Sequence, residues 1–418
     1  MRRPVAIVSK QRIVGATNGS SAYVLAIARS LADAGFAVHL VQPSPDVFGR
    51  TPVMRVLPEM AVFERHVIRA TLRFGSVLLV LSPVIWMAAF VGILRRILRR
   101  VGFSGNWTID KPRPYSVATS WSAADLAFVE RELPRDSASV IADYIFCVPA
   151  FDHAPQGAAR GLIMHDLFHA RGGGEQDSVA SVSRAEEIRL LGAAEAVLAI
   201  QEEERNFVET NVAHTRALLV PMPAELCSSP QPGLDDTVLF VGSNTAPNNV
   251  GLEWFLSKVW PTVLGRRPNC TLQVAGTVSR AFEGRVIAGV RFLGLVPDLA
   301  PLYRDAGVII SPLTFGSGLK IKLVEALAAA KAIIATPTTL QGVEELCGDA
   351  VVCTQDPDEF AEMLARLSAD GAARELMARR ALICAERNFS SEKVHRGLVD
   401  WLKAGQSNLA SPAAVAAG

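Results

Sequence analysis

The chain has 418 residues, half of them hydrophobic and a fifth charged, which excludes a disordered chain and provides for two domains of about 200 residues each. The formal net charge is +1, so the total points to no partner, yet residues 1–105 carry fourteen Lys or Arg against four Asp or Glu. A basic half on a near-neutral chain suggests one face meant for anions, whether phospholipid, nucleic acid or a phosphorylated substrate.

The N-terminal MRRPVAIVSK has charge and then only a short apolar run. A signal peptide needs about 7–15 apolar residues, so Pro4–Ser9 reads as a first buried strand. Ser20–Ala34 is helical in pattern, with Gly35 at the C-cap position, and Ala37–Val41 is the next strand. This beginning implies a right-handed parallel unit. Residues 44–75 and 104–125 are irregular in pattern.

Ser76–Leu94 has nineteen residues without charge and runs at once into RRILRR at 95–100. That is about long enough to span a bilayer core. Pro83 interrupts the run, however, and both flanks belong to one domain. A spanning helix, a buried core segment and a surface-docked segment are the three readings, and the last is preferred. Val84–Arg100 would place Trp86, Phe90 and Ile97 at the acyl boundary, with Arg95, Arg96, Arg99 and Arg100 toward anionic headgroups.

Val140–Ile145, Gly161–Met164 and Ala196–Ile200 supply later strands of the first half. Polar, proline-bearing residues 224–236 (AELCSSPQPGLDD) read as a linker. The alternation then restarts, with strands at Val238–Gly242, Thr271–Ala275, Val290–Leu293, Gly307–Ser311 and Ala332–Thr336. Helices at Gly251–Leu264, Leu299–Ala306 and Ile321–Ala330 separate them. Apolar runs of four or five residues without strict alternation suit a parallel sheet covered on both faces.

The expected organisation is an N-terminal Rossmann-like domain over 1–223, the linker, and a C-terminal one over 237–388. A helix over 389–403 able to pack back on the first domain follows, then a disordered tail over 404–418. Two open α/β domains place a ligand cleft between them, beyond the carboxyl ends of their strands. Cys147, Cys227, Cys270, Cys347, Cys353 and Cys384 are far apart and read as reduced thiols of a cytoplasmic protein. The sequence shows no metal-ligand cluster, and no cofactor is called for.

The most informative segment is Ser311–Leu327, SPLTFGSGLKIKLVEAL. A strand ends at Ser311–Pro312, a loop with Gly316 and Gly318 follows, and a helix begins near Leu319. Glycines let a backbone approach a ligand closely, and a helix start offers free N–H groups to an anion. Lys320 and Lys322 add positive charge, and Glu325 suits ribose hydroxyls. By spacing alone the segment is also readable as a helix start with solvated lysines and a surface Glu. In the first half, GLIMHDLFHAR at 161–171 puts His165 and Asp166 just after a strand, either facing the cleft or capping the next helix. Glu202, Glu203 and Glu204 read as an acidic helix start. His39 and His395 read as structural.

Ser311–Leu327 resembles the donor-site motif of family-4 glycosyltransferases, in the branch with G-x-G-x-K-x-K-x-x-E before an apolar helix. VLFVGSNTAPNNVGLEWF at 238–255, VRFLGLVPDLAPLYRDAGVIISPL at 290–313 and AIIATPTTLQGVEEL at 332–346 are similar to the surrounding stretches of that branch. GLIMHDLFHAR resembles its strand-HD-(V/L)-F-x-x-R segment. The resemblance implies an α/β protein of the GT-B fold, with two Rossmann-like domains facing a cleft. It implies metal-independent glycosyl transfer with retention, from a nucleotide-diphosphate sugar to a glycan or lipid-linked acceptor in polysaccharide biosynthesis. The enzyme would work at the cytoplasmic face of the membrane.

Position by position, the resemblance puts Glu325 on the nucleotide ribose, Lys320 at the diphosphate with Lys322 beside it, Gly316 and Gly318 at the donor sugar, and Gly242 near the phosphates. His165 is expected at the donor sugar, with Asp166 orienting it. His169 and Arg171 are further candidates. The loop Val14–Ser21, with Gly15 and Gly19, is expected to cover the donor and meet the acceptor. Three positions depart from the pattern. Ser317 stands where many members have a second glutamate, and Ser243 and Asn248 stand where many have Arg and Lys. Ser317 and Asn248 stay in the donor-binding set, with backbone groups reading the sugar. Three rivals stay open: a non-hydrolysing nucleotide-sugar epimerase, a non-catalytic nucleotide-sugar-binding protein, and nucleic-acid binding. The last lacks aromatics interleaved with the arginines and is set aside.

Overall fold

The computed structural model describes residues 2–101, 116–170, 182–315 and 321–409. The chain divides into two compact units, Met1–Pro221 with the segment from His395 onward, and Met222–Val394.

The first unit opens with β1 (Pro4–Val8), α1 (Gly19–Asp33) and β2 (Ala37–Gln42). Asn18 caps α1 in a reciprocal box with Ser21, and Gly35 leaves the helix at φ +93°. Then come β3 (Val53–Arg55), β4 (Arg65–Ile68), β5 (Thr71–Phe74), β6 (Val77–Val80) and α2 (Pro83–Arg100). The unit continues through α3 (Ala123–Glu132), β7 (Ser139–Asp143), β8 (Ala159–Met164), α4 (Arg184–Leu191), β9 (Ala196–Ala199), α5 (Glu202–Asn211) and β10 (Arg216–Leu219). Seven strands form a parallel sheet ordered β10-β9-β8-β7-β1-β2-β4. The chain order therefore reverses between β1 and β7. A separate antiparallel sheet, β3-β6-β5, takes β3 and β5 from the stretch 44–75 that the sequence pattern left irregular.

The apolar run 76–94 is two elements rather than one. Its first part is β6, and Pro83 opens α2 at the first helical position, where its missing N–H costs nothing. The buried-core reading of this run fails for α2, whose Met87 and Phe90 are each 63% exposed. Among the described residues no helix is long and apolar enough to cross a membrane.

The second unit runs β11 (Thr237–Val241), α6 (Ala246–Trp254), a π-helical turn (Phe255–Val259), α7 (Trp260–Arg266), β12 (Thr271–Ala275), β13 (Val290–Gly294), α8 (Ala300–Asp305), β14 (Val308–Ser311), α9 (Ile321–Ala328) and β15 (Ala332–Ala335). It ends with α10 (Pro337–Leu340), α11 (Glu344–Cys347), β16 (Val352–Cys353), α12 (Pro357–Ala369) and α13 (Gly371–Phe389). Its parallel sheet is ordered β13-β12-β11-β14-β15-β16, the dinucleotide-fold order with a switch between β11 and β14. Successive residues of β11 serve opposite faces. Val238 and Phe240 join a core with Phe255, Trp260 and Phe360, while Leu239 and Val241 join a second core with Leu323, Leu327 and Phe389.

Residues 224–236 are irregular but bonded along this unit. Ala224 N donates to Phe389 O (2.7 Å), Cys227 N to Ala328 O (2.8 Å) and Leu234 N to Asp305 O (2.9 Å). Two buried cations complete the strap: Lys331 donates to Gln231 O (2.9 Å) and Arg374 to Pro232 O (3.0 Å). At Gly233, φ is +73° and an added Cβ would sit 1.9 Å from Ala306 O. The last helix, α14 (Ser391–Leu409), packs within the first unit from His395 on, where Trp401 meets Gly161 and the His395 ring bonds Ser30 Oγ at 2.5 Å. Of the tail 404–418 read as disordered, 404–409 continue this helix and 410–418 lie outside the described residues.

At the start of α5 the acidic run read as a plain helix start has a buried member. Glu204 accepts from Ile200 N (2.8 Å) and Gln201 N (3.2 Å), and burial pushes its carboxyl up to about 7, with Asp166 and Glu203 adding repulsion.

Gly233→Ala should destabilise the protein by roughly 3–5 kcal/mol, combining a left-handed backbone with a backbone clash. Gly284→Ala, also at positive φ (+79°) but with nothing near the new Cβ, should cost only roughly 1–2 kcal/mol. Equal losses in denaturant melts would refute the strap. For Glu204, a carboxyl raised by folding contributes stability that is present below the ordinary glutamate range and lost as pH rises through about 7. The wild type should lose up to about 3 kcal/mol between pH 4.5 and 8 from this group, and Glu204→Gln should flatten that part of the profile. Parallel profiles for the two proteins would contradict the assignment.

Candidate functional site

Open parallel sheets bind ligands where the strand order reverses, beyond the carboxyl ends of the strands. Each unit has such a point, and the candidate residues gather at both.

In the second unit the switch lies between β11 and β14. The loop leaving β11 holds Gly242, Ser243 and Asn244 before α6. Asn248 Nδ2 folds back on Ser243 O (3.0 Å), Ser243 Oγ (3.2 Å) and Thr245 Oγ1 (3.1 Å), so the amide shapes this loop. Two glycines allow close backbone contacts at this edge of the sheet. An added Cβ at Gly276 would lie 2.1 Å from Gly242 O, and one at Gly251 would lie 2.6 Å from Pro312 O. The loop after β12 thus closes on the loop after β11, and the segment after β14 closes on α6, with no room for a side chain at either contact.

Across the same sheet edge, α9 presents Lys322 and Glu325. Lys322 Nζ bonds both Glu325 oxygens at 2.7–2.8 Å, and Tyr303 Oη donates to Glu325 Oε2 at 3.1 Å. Burial and the Glu325 charge push the Tyr303 phenol up, so it stays a donor. Val241 and Lys322 line one narrow gap, which puts the end of β11 beside α9. Glu325, Lys322, Tyr303 and Leu299 line a cavity of about 550 Å³ that continues along Met222 and Lys331. Gly316, Ser317, Gly318 and Lys320 lie outside the described residues.

In the first unit the switch lies between β1 and β7, and its centre is a residue the sequence reading missed. Asp143 ends β7 with no exposed surface. It accepts from Ser9 Oγ (2.5 Å), Gln11 Nε2 (2.7 Å) and His165 Nε2 (2.6 Å). His165 follows β8, its side chain only 7% exposed. The carboxylate assigns the ring proton to Nε2 and leaves Nδ1 as an acceptor. Tyr144 stacks on the imidazole at 3.9 Å and Tyr23 meets it edge-on at 5.7 Å. Tyr144 holds φ +71°, a strained backbone for a bulky residue.

Asp166, expected to orient His165, accepts from Leu167 N (2.9 Å) and lies close enough to Glu204 to raise it. His169 has its own buried carboxylate: Glu187 accepts from His169 Nδ1 (2.6 Å), Phe168 N (2.8 Å) and His169 N (2.9 Å), which holds the turn after His165. Arg171 lies outside the described residues. An acidic residue closing a strand beside the His-bearing strand was the available signal for Asp143.

In the loop after β1, an added Cβ at Gly15 would sit 2.5 Å from Leu57 Cδ1, so close approach demands glycine there. Gly19 has nothing within 4 Å and simply starts α1. Leu57 N donates to Val14 O (2.8 Å) and Ala16 N to Glu59 Oε1 (3.0 Å), which bonds this loop to residues 57–59. Among the described residues no group of three or more His, Cys, Asp or Glu is arranged to hold a metal ion.

Residues 235–370 match the family model described as Glycosyl transferases group 1. Among curated proteins, the chain is 26% identical over 168 residues to an uncharacterized 44.6 kDa protein in the cps region of Klebsiella pneumoniae, covering 38% of this chain and 43% of that protein. It is 34% identical over 141 residues to phosphatidyl-myo-inositol mannosyltransferase of Mycobacterium tuberculosis, covering 32% of this chain and 36% of that enzyme. The matches thus span less than half the length of these relatives. Among solved structures, sucrose-phosphate synthase from Thermosynechococcus elongatus aligns at TM-score 0.57 and 15% identity over 98% of this chain and 100% of that one. TarM aligns at TM-score 0.62 and 9% identity over 96% and 99%. TarM of S. aureus has also been solved with UDP and alpha-GlcNAc-glycerol, and that structure aligns at TM-score 0.59, 10% identity and 96% and 99% coverage. With two parallel-sheet Rossmann-like units, these neighbours show that the chain has the GT-B fold.

Proposed function

We propose that this chain is a glycosyltransferase that moves a sugar from a nucleotide-diphosphate donor to a glycan or lipid-linked acceptor, with retention of anomeric configuration. The observation that carries the reading is the coincidence of the glycosyl-transferase match over 235–370 with a preorganised carboxylate, Glu325, at the edge of an open cavity. In this reading Glu325 takes the ribose hydroxyls, and Tyr303 and Lys322 hold its carboxylate in place. Gly242 and the Asn248-braced loop lie at the phosphates, together with Lys320 and the Gly316–Gly318 loop.

Breaking the anomeric bond requires the departing diphosphate to be stabilised. Lys320, Lys322 and helix-end N–H groups supply preorganised positive charge for that, without a metal. His165, oriented by Asp143 through Nε2, serves the donor sugar through Nδ1, as a hydrogen-bond acceptor or charge stabiliser. Retention follows if the leaving phosphate takes the acceptor proton on the face it departs from, so no carboxylate nucleophile is invoked. The place of work is the cytoplasmic face of an anionic membrane, reached through residues 84–100. A neighbour of the same fold solved with UDP and a sugar-bearing glycerol is in keeping with such a donor and acceptor.

Two measurements test the roles. Lys320→Ala should lower kcat/KM by roughly 2–4 kcal/mol of transition-state energy while leaving donor affinity within a few-fold. Glu325→Gln should chiefly weaken nucleotide binding in calorimetry. Wild-type turnover in the first and wild-type affinity in the second would dismiss the donor site. For the dyad, His165→Ala and Asp143→Asn should each lower turnover by about 100-fold, and the double variant should be little worse than either, because the two groups act as one unit. Additive losses, or full turnover in folded His165→Ala enzyme, would assign the pair a structural role. Incubation with donor alone should yield no epimer.

A further inference from the structure

Gln11 follows β1, is buried, and has both ends of its side-chain amide fixed. Nε2 donates to Asp143 Oδ2 at 2.7 Å, and Oε1 accepts from Ser20 Oγ at 2.8 Å. A carboxylate only accepts, so the amide cannot be turned over without setting oxygen against oxygen. The main chain at Gln11 is held as well. Its N–H donates to Ser9 Oγ at 3.1 Å, and its carbonyl accepts from Gln42 Nε2 at 2.5 Å. Gln42 lies fully buried at the end of β2, and its Oε1 accepts from His66 Nε2 at 2.8 Å. Burial, with the Arg73 charge adding to it, pushes the His66 imidazole down to about 4, so this prop is neutral at physiological pH.

Ser20 stands half-buried on the first turn of α1, at the far end of the loop over residues 14–21. Its hydroxyl has one proton and two acceptors in reach, Gln11 Oε1 at 2.8 Å and Asn18 Oδ1 at 2.9 Å. Asn18 Oδ1 also accepts from Ser21 N at 2.8 Å as the cap of α1. Turning the Ser20 hydroxyl toward Asn18 releases Gln11 Oε1, and an amide freed at that end can swing from Asp143. On the carboxylate, Ser9 and Gln11 share Oδ2 while His165 Nε2 holds Oδ1. Losing a donor at Oδ2 leaves more charge on Asp143 and strengthens its pull on the Nε2 proton. The imidazole thus senses a hydroxyl on another element.

We propose that Gln11 is a positioning residue that carries the state of the 14–21 loop to the His165 imidazole through Asp143. A ligand that draws the Ser20 hydroxyl away from Gln11 loosens the amide, and the hydrogen bond from His165 to Asp143 changes in response. The proposal rests on the reading that His165 serves the donor sugar and that this loop meets the substrates, and it adds the residue that joins the two. Gln11 acts only through Asp143.

The test uses the full chain with isotopically labelled histidine and no ligand, and follows the His165 ring nitrogens by NMR at one pH. Loss of their signals in His165→Ala identifies them. Ser20→Ala removes only a half-buried hydroxyl and should move the His165 Nε2 resonance. Gln11→Met, close in volume and without an amide, should move it further and abolish the response to Ser20→Ala, so the two changes are not additive. Gln11→Asn, an amide too short to reach both partners, should abolish the response in the same way and serves if the methionine variant does not fold. An unchanged His165 signal in Ser20→Ala, or an equal response to it with and without Gln11, overturns the proposal. Turnover is read as nucleoside diphosphate released from a panel of nucleoside-diphosphate sugars. There Gln11→Met should lower kcat by about tenfold with little change in donor KM, the size of one lost charge-assisted hydrogen bond. Coupling of Ser20 to His165 in a chain that releases nothing from any donor removes the transferase reading and leaves the coupling. Turnover without that coupling keeps the transferase reading and removes the role of Gln11.

Discussion

Asp143 carries its carboxylate with no contact to solvent, and a charge so placed is tolerated only when its acceptor sites are filled. Ser9, Gln11 and His165 fill them, and these residues come from two different strand ends. Ser9 also accepts from Gln11 N at 3.1 Å, which tightens the turn leaving β1. Satisfying one buried charge therefore sets the exit path of β1, the last residue of β7 and the ring of the His after β8. The loop after β1 then runs on to Gly15 and its contact with Leu57, so this loop inherits its position from the same carboxylate. Partly satisfied networks of this kind are costly, and the arrangement is for that reason held or lost as a whole.

The second unit solves the same topological problem without a buried charge. At its switch point, backbone meets backbone: Gly251 under Pro312 O, Gly276 over Gly242 O. Rigidity there comes from the absence of side chains. The groups that bear charge, Lys322 and Glu325, stand in the first two turns of α9, half-exposed and paired with each other. An exposed pair contributes little to stability, so its geometry is available to a ligand at small cost. One unit is thus organised around a desolvated dyad, the other around a bare backbone cradle with solvated charges at its rim.

Most parallel strands are legible in the amino-acid sequence because both faces of each sheet are covered. Their apolar runs, such as Val238–Val241 and Ile333–Ala335, then stand out from the polar turns between them. The hairpin strands are not legible, for the opposite reason to the usual one. In LRF at 72–74 and VLLV at 77–80 the outer face is apolar as well, so the inside-outside alternation that marks a half-covered sheet is weak or lost. The run from Ser76 to Leu94 looked continuous because Ser82–Pro83 breaks the backbone without breaking the hydrophobicity. His165 was legible from its place after a strand, but its partner was not. Asp166 is adjacent in sequence, whereas Asp143 lies 22 residues away and arrives through the register that pairs β7 with β8. Periodicity finds strands and says nothing of which neighbours they choose.

Tyr144 stands beside this dyad in the left-handed region, where glycine would be at ease. Its ring is the platform under the His165 imidazole, at 3.9 Å. Relaxing the main chain and keeping the platform are thus competing demands on one residue. Glycine would relieve the strain by removing the surface that keeps the imidazole flat. The tension between foldability and function in this unit is concentrated at a single Cα.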